Sequence, residues 1–229
     1  MNDESLAPTA VIPSRAWYGD EDLALTFPAG WQVTTLWPHD APPIDEDAIE
    51  AAFANPIGSP TIAEAAAGRR SAVIVLDDLS RPTPAATLIP SVLRQLSAAG
   101  VPKSEIQFVI GGGSHRPQTE EEMVKKVGRD VVENFQVTSH DCYSGKLRGI
   151  GNLPDGLPLY FDPVVADADF KMTIGGIYPH GAVGFGGGSK LILPGVAGFV
   201  TMFQFHSLYP VRGQAVIERV DGPPDHRDA

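Results

Sequence analysis

Cysteine is almost missing from this sequence, with Cys142 alone among 229 residues. A single cysteine excludes an intrachain disulfide framework and any multi-cysteine zinc or iron–sulfur site. Cys142 itself reads as a small buried hydrophobe. Basic residues are also scarce: Lys and Arg number 17 against 28 Asp and Glu, for a formal net charge of −11. Nucleic-acid binders carry a basic face, so no nucleic-acid partner is expected. No apolar run reaches the roughly 18 residues of a membrane span, so no membrane partner is expected either. Met1–Ala10 is acidic and lacks the basic and apolar regions of a secretory signal. The expected compartment is the cytoplasm.

Glycine and proline are abundant. The chain has 24 Gly and 21 Pro, about a fifth of its length against an average near 12%. The excess has no period and is interrupted by strong apolar runs, which argues for a loop-rich α/β protein. Residues 1–13 read as a ragged tail, and the folded domain is expected from residue 16, after a flexible 1–15. Ala16–Leu25 and Gly30–Leu36 alternate with period two and predict a small β meander, with Trp17, Trp31 and Trp37 packed in its core. Asp45–Ala54 and Thr61–Ala67 read as short helices.

Further along, Ala72–Leu76 is a continuous apolar run, as in a strand buried on both faces of a parallel sheet. Pro84–Ala99 has helical spacing, and Gln107–Ile110 is the next strand. Thr119–Val127 is a helix opened by a Thr119/Glu122 capping box. Phe135–Ser139, Phe161–Ala166 and Phe170–Ile174 complete the predicted strands. This alternation predicts a Rossmann-like, doubly wound, mostly parallel sheet.

Ligands of open α/β sheets lie beyond the carboxyl ends of the strands. Three such ends carry reactive residues. Asp77–Pro84 (DDLSRPTP) contributes Asp78 and Arg81. Its Asp and Ser could be turn and cap residues, but a guanidinium between a turn and a helix start suits a carboxylate or phosphate. Asp78 could orient Arg81 or take a ribose hydroxyl. Gly111–Pro117 (GGGSHRP) places Gly111, Gly112 and Gly113 so that backbone can approach an anion, followed by His115 and Arg116; Arg116, with Arg81 and Lys190, would have to make the site locally positive inside an acidic surface. It lacks the Lys-Ser/Thr ending of a P-loop. His115 is either structural or an acid/base group.

The third end runs from Gly175 to Gly198. His180 and Lys190 fall there and His206 follows eight residues beyond it, at spacings of 10 and 16, and GFGGGSK puts Lys190 after Gly187 and Gly188. Lys190 reads as a cation beside a phosphate-binding bed or as part of a surface loop. His206 reads as a core histidine or a metal ligand. His140 and Cys142 form an H-x-C pair too small for a metal site. His39 and His226 read as solvent residues.

Together DDLSRPTP, GGGSHRP, PHGAVGFGGGSK and His206 resemble the nickel-dependent lactate racemase family, from about Trp17 to His206. The resemblance implies racemisation or epimerisation of a small 2-hydroxy acid by hydride transfer to a nickel-pincer nucleotide. It implies that Lys190 carries this cofactor covalently and that His206 ligates nickel. His115 and His180 would act as the acid/base pair, Arg81 would hold the substrate carboxylate, and Asp78 and the glycine beds would contact the cofactor. Family members are about twice as long, so the resemblance also implies that residues 16–229 are the cofactor-binding N-terminal domain and that the C-terminal domain is absent. Gly213–Ala229 reads as a segment cut inside an element. A separate C-terminal-domain subunit is one expected partner. Two other readings stay open: a non-catalytic nucleotide-binding subunit that needs a partner, and a histidine-based metallohydrolase.

Overall fold

The computed structural model describes residues 7–14, 21–36, 42–153, 156–180 and 184–208. Strands β1 (Thr9–Ser14) and β2 (Glu21–Thr26) form an antiparallel hairpin, followed by helices α1 (Glu46–Ala54) and α2 (Ile62–Ala65). Next come β3 (Ala72–Asp77), α3 (Ala85–Ala98), β4 (Ile106–Gly111), α4 (Glu120–Val127), α5 (Arg129–Asn134) and β5 (Gln136–Ser139). The hairpin β6 (Arg148–Asn152) and β7 (Pro158–Phe161) precedes α6 (Pro163–Asp167) and β8 (Phe170–Ile174). The short pair β9 (Pro179–His180) and β10 (Gly184–Phe185) leads to α7 (Phe199–Leu208).

The central sheet is four-stranded and parallel throughout, in the order β5-β4-β3-β8. Every residue of β3 is buried, as its unbroken apolar run requires. Side chains alternate between the two faces. Ile74, Leu76, Phe108 and Ile110 pack on one face with Ile89, Val92 and Leu96 of α3. Val73, Val75 and Val109 pack on the other with Val165 of α6 and the Leu191–Ala197 turn. A sheet covered on both faces is the doubly wound arrangement that the sequence predicts.

The local signals acted as their chemistry dictates. Thr61 and Thr119 each form a complete capping box, with Glu64 and Glu122 respectively. The Phe161–Ala166 strand expectation was wrong. β7 ends at Phe161, Asp162 accepts from the Val164 amide, and Pro163 opens α6. A capping Asp followed by proline at the first helical position is a start signal, and it outweighed the apolar composition.

The N-terminal reading needs correction too. Thr9–Ser14 lies in the segment read as a tail but is a strand that pairs with Glu21–Thr26. Gly30–Leu36 forms no strand. Trp31 is 61% exposed and stacks on Phe27 at 6.1 Å, so it is not core. Trp17 and Trp37 lie outside the described residues, as do His39, His226 and Gly213–Ala229. Cys142 is buried, as expected.

His140, at the end of β5, is buried completely. Its Nδ1 lies 3.0 Å from Asp162 Oδ2 and its Nε2 lies 3.0 Å from the Ala197 carbonyl oxygen. One ring thereby ties the sheet edge to the start of α6 and to the turn that leads into α7. Both ring nitrogens face acceptors, so the ring occupies a structural position. His140→Ala should cost about 3 kcal/mol by stranding a largely buried carboxylate, read as a lowered denaturant midpoint. A midpoint equal to the parent's would contradict this tie.

Candidate functional site

The sheet register brings the three reactive ends together. Asp77 of β3 pairs with Gly111 of β4, and Leu76 pairs with Ile174 of β8. The segments after Asp77, Gly111 and Ile174 therefore emerge side by side at the carboxyl edge. They surround a cleft of about 210 Å³, lined in part by Asp78, Arg81, His115, His180, Lys190 and His206. All six of the non-glycine residues expected at the site are thus in one place. Gly111, Gly112, Gly113 and Gly187 also line it, while Gly188 does not. At Gly187 φ is +75°, and a Cβ would sit 2.9 Å from the Gly176 carbonyl oxygen. Only glycine fits this crossing of two loops.

Asp78 is 4% exposed. Its Oδ1 accepts from the Ser80 amide at 3.0 Å and from the Ser80 hydroxyl at 2.5 Å. Its Oδ2 lies 2.5 Å from His115 Nδ1. A carboxylate only accepts, so the proton of this pair sits on Nδ1, which in a neutral ring leaves the lone pair on Nε2. A buried carboxylate that fixes the tautomer and orientation of a histidine is the arrangement an acid/base catalyst needs. The sequence reading offered Arg81 or a ribose hydroxyl as the partner of Asp78. The structure gives it His115.

His206 is held in the same sense. Its Nδ1 donates to the Met202 carbonyl at 2.8 Å, one helical turn back. In the neutral ring this leaves the lone pair on Nε2, the form that binds metals. Among the described residues no group of three or more His, Cys, Asp or Glu could hold a metal ion together. A metal here would take one protein ligand from His206, with its other positions left to water or a bound group. The metallohydrolase reading, which needs a carboxylate ligand close to His115, His180 and His206, gains no support among the described residues.

The electrostatics depend on a few cations. Burial and then the Arg81 charge lower the Lys190 pKa, with Asp78 and Asp77 opposing them. More of its amine is therefore uncharged near neutral pH than on a surface lysine. Burial, then Lys190, Arg81 and His206, push the His180 pKa below its ordinary 6.5, so it is mainly a neutral base at pH 7. Arg116 does not join this group. Its guanidinium forms two bonds to the Glu122 carboxylate, at 2.8 and 2.6 Å, and holds Glu122 down at about 2. The expectation that Arg116 makes the cleft positive is corrected: it braces the start of α4.

Two residues went unrecognised in the sequence. Lys126 is 4% exposed, and its Nζ lies 2.6 Å from Asp77 Oδ1. Asp77 Oδ2 in turn accepts from the Thr83 hydroxyl at 2.5 Å. Lys126 has a visible signal, since it lies three residues after Met123 and next to buried Val127 on the inner side of α4. Tyr178 lines the cleft beside Arg81.

The charge pattern yields a measurable coupling. Lys190→Met removes a cation that depresses His180. The NMR titration midpoint of His180 should rise toward the ordinary value, so that His180 carries more charge at pH 6 than in the parent. An unchanged midpoint would mean that the two side chains do not share the cleft.

The comparisons with known proteins point one way. Residues 18–217 match the lactate racemase N-terminal domain family. The lactate racemase of Lactiplantibacillus plantarum is 36% identical over 164 residues, covering 71% of this chain and 38% of that protein. That of Thermoanaerobacterium thermosaccharolyticum is 33% identical over 186 residues, covering 80% and 43%. The structure of the lactate racemase apoprotein from Thermoanaerobacterium thermosaccharolyticum superposes with a TM-score of 0.64 at 31% identity, over 87% of this chain and 46% of that one. A Thermotoga maritima protein shares the fold at a TM-score of 0.60 and 22% identity, over 80% of this chain and 49% of that one. The chain thus spans less than half the length of the curated relatives it matches. With its family match nearly end to end, this chain belongs to the lactate racemase N-terminal domain family.

Proposed function

We propose that this chain is the cofactor- and substrate-binding part of a racemase or epimerase of small 2-hydroxy acids, lactate or a close analogue. The supporting observation is the meeting of His115, His180, Arg81, Lys190 and His206 around one cleft, with His115 oriented by a buried carboxylate. The donor set fits a nickel-pincer nucleotide. Lys190 offers an amine with a lowered pKa for the covalent link. His206 offers one imidazole lone pair, and Gly111–Gly113 and Gly187 offer close backbone approach to the anionic parts. When bound, this group supplies a nickel centre and a site that accepts and returns hydride.

The chain's own residues supply the rest. Arg81 binds the substrate carboxylate through its planar fork. His115 Nε2 takes the hydroxyl proton as the substrate is oxidised to the 2-keto acid, and Asp78 stabilises the imidazolium that forms. His180, held neutral, performs the same proton transfer for the other enantiomer. Two bases suit a reaction in which either enantiomer can present its hydroxyl. The histidine that takes the hydroxyl proton passes it to solvent, and the other, protonated from solvent, gives one to the oxygen of the opposite enantiomer, so atoms and charge balance. Among the described residues no helix is long and apolar enough to cross a membrane. A cytoplasmic location is part of the proposal and does not follow from that absence.

A second reading is a binding subunit that requires a partner domain. The coverage of its relatives, 38% and 43% of their lengths, favours keeping it. The two readings separate in one assay. If the 229-residue chain loaded with cofactor interconverts D- and L-lactate, the partner requirement is overturned.

Chain produced together with the cofactor-making enzymes should carry a mass adduct that is absent in Lys190→Ala. An unmodified intact mass under those conditions would overturn the covalent role of Lys190. In loaded, active protein, His115→Ala should lower turnover by roughly 10²–10⁴, the range for losing a general acid/base. A smaller loss than tenfold would contradict its role.

A further inference from the structure

We infer that Tyr178 is a positioning residue that aims Arg81, and that Gly176 and Gly186 form the seat of its ring. The inference rests on the reading that Arg81 takes the substrate carboxylate. Arg81 Cζ lies 5.7 Å from the centroid of the Tyr178 ring, within the range where a guanidinium is held by an aromatic face. Among the described residues Arg81 makes no salt bridge to a carboxylate. Its charge is held by a neutral ring and stays available to an incoming anion. Burial raises the Tyr178 pKa above 10.0, while the Arg81 charge and a hydrogen bond from Arg81 to the hydroxyl oppose the rise, so the phenol stays uncharged and holds Arg81 through its hydroxyl as well as its ring.

The seat fits the ring closely. A Cβ on Gly186 would meet Tyr178 alone, at 2.8 Å from Cε2, and a Cβ on Gly176 would lie 2.9 Å from both Tyr178 Cε1 and Thr83 Oγ1. One glycine therefore borders each edge of the ring. Neither has a positive φ, so no backbone requirement explains them and the close approach does. The Tyr178 carbonyl accepts from the Gly186 amide at 2.8 Å, and the Gly176 amide donates to the Thr83 hydroxyl at 2.8 Å. The ring is thus anchored at its backbone, bounded at both edges and placed beneath the guanidinium. A long, flexible arginine is turned into a fixed fork, and less of its rotamer freedom remains to be lost when a carboxylate binds.

Gly186→Ala tests this without altering either side chain. Its backbone accepts alanine, and only the ring is displaced. D- and L-lactate are titrated into the apo 229-residue chain by NMR, with the Arg81 Nε–H resonance identified by its disappearance in Arg81→Lys. In the parent that resonance is moved upfield by the ring. Gly186→Ala and Tyr178→Leu should move it downfield and weaken lactate binding about tenfold. Tyr178→Phe retains the ring face and loses only the hydroxyl contact, so it should move the resonance less than Tyr178→Leu does and bind within about threefold of the parent. The double variant Gly186→Ala/Tyr178→Leu should be no worse than Tyr178→Leu, since the clash has gone.

If Arg81→Lys loses binding while Gly186→Ala and Tyr178→Leu match the parent in affinity and Arg81 resonance, the Tyr178 inference is overturned and the Arg81 reading stands. If the parent fails to bind lactate, or Arg81→Lys binds as the parent does, the carboxylate reading of Arg81 is overturned. The Nε–H shift alone then decides whether the ring holds the guanidinium. Far-UV circular dichroism verifies that each variant is folded.

Discussion

Lys126 reaches from the last turn of α4 into the protein interior. Its ammonium there meets the Asp77 carboxylate at 2.6 Å and donates to the carbonyls of Asp78, Arg81 and Thr83 at 3.2–3.3 Å. Burying both charges is costly, and the pair is tolerated only because hydrogen bonds surround it. Those bonds go to the turn that leaves β3. One ammonium gathers three carbonyls of a six-residue stretch, so the chain cannot straighten after Asp77. That bend carries Asp78 and Arg81 into the cleft. Asp77 extends the constraint across the sheet by accepting from Thr83 and, at 3.2 Å, from the Gly176 amide after β8.

The rest of the site follows from this bend. Asp78, once turned inward and held by Ser80, orients His115 from the neighbouring strand end. Arg81 is brought over Tyr178, and its charge helps to lower the pKa of both His180 and Lys190. A protein with a net charge of −11 thus keeps a cationic cleft. Its two nearest carboxylates are already engaged, Asp77 by Lys126 and Asp78 by His115. Charges on an acidic surface are screened by solvent, whereas those inside a narrow cleft act on one another with less attenuation.

The sheet and the gathering of site residues were legible in the sequence because both rest on local, strong signals. The AVIVL run has one stable placement, between two covered faces. In parallel strands, whatever follows each apolar run must emerge at the same edge, so Arg81, His115 and Lys190 could be grouped without coordinates. Lys126 was overlooked despite its position on the inner side of α4, because a lysine in a charged helix ordinarily faces water and its partner Asp77 lies 49 residues away. Arg116 was misassigned for the complementary reason. It neighbours His115 in sequence, but the Thr119/Glu122 capping box places a carboxylate where Arg116 can reach it. His140 was passed over because its partners, Asp162 and Ala197, come from two distant segments. At the N-terminus, period-two alternation was present in several registers, and hairpin pairing chose Thr9–Ser14 over Gly30–Leu36.

The dependence of the site on Lys126 is tested most directly by hydrogen exchange in Lys126→Met. The Ser80 and Arg81 amides donate to Asp78, and the Gly176 amide donates to Asp77 and Thr83. These three should exchange at least about tenfold faster than in the parent, while the amides of β3 and β4 keep their protection, as in a local opening. Unchanged exchange at Ser80, Arg81 and Gly176 would contradict the account, as would a uniform loss of protection across the sheet.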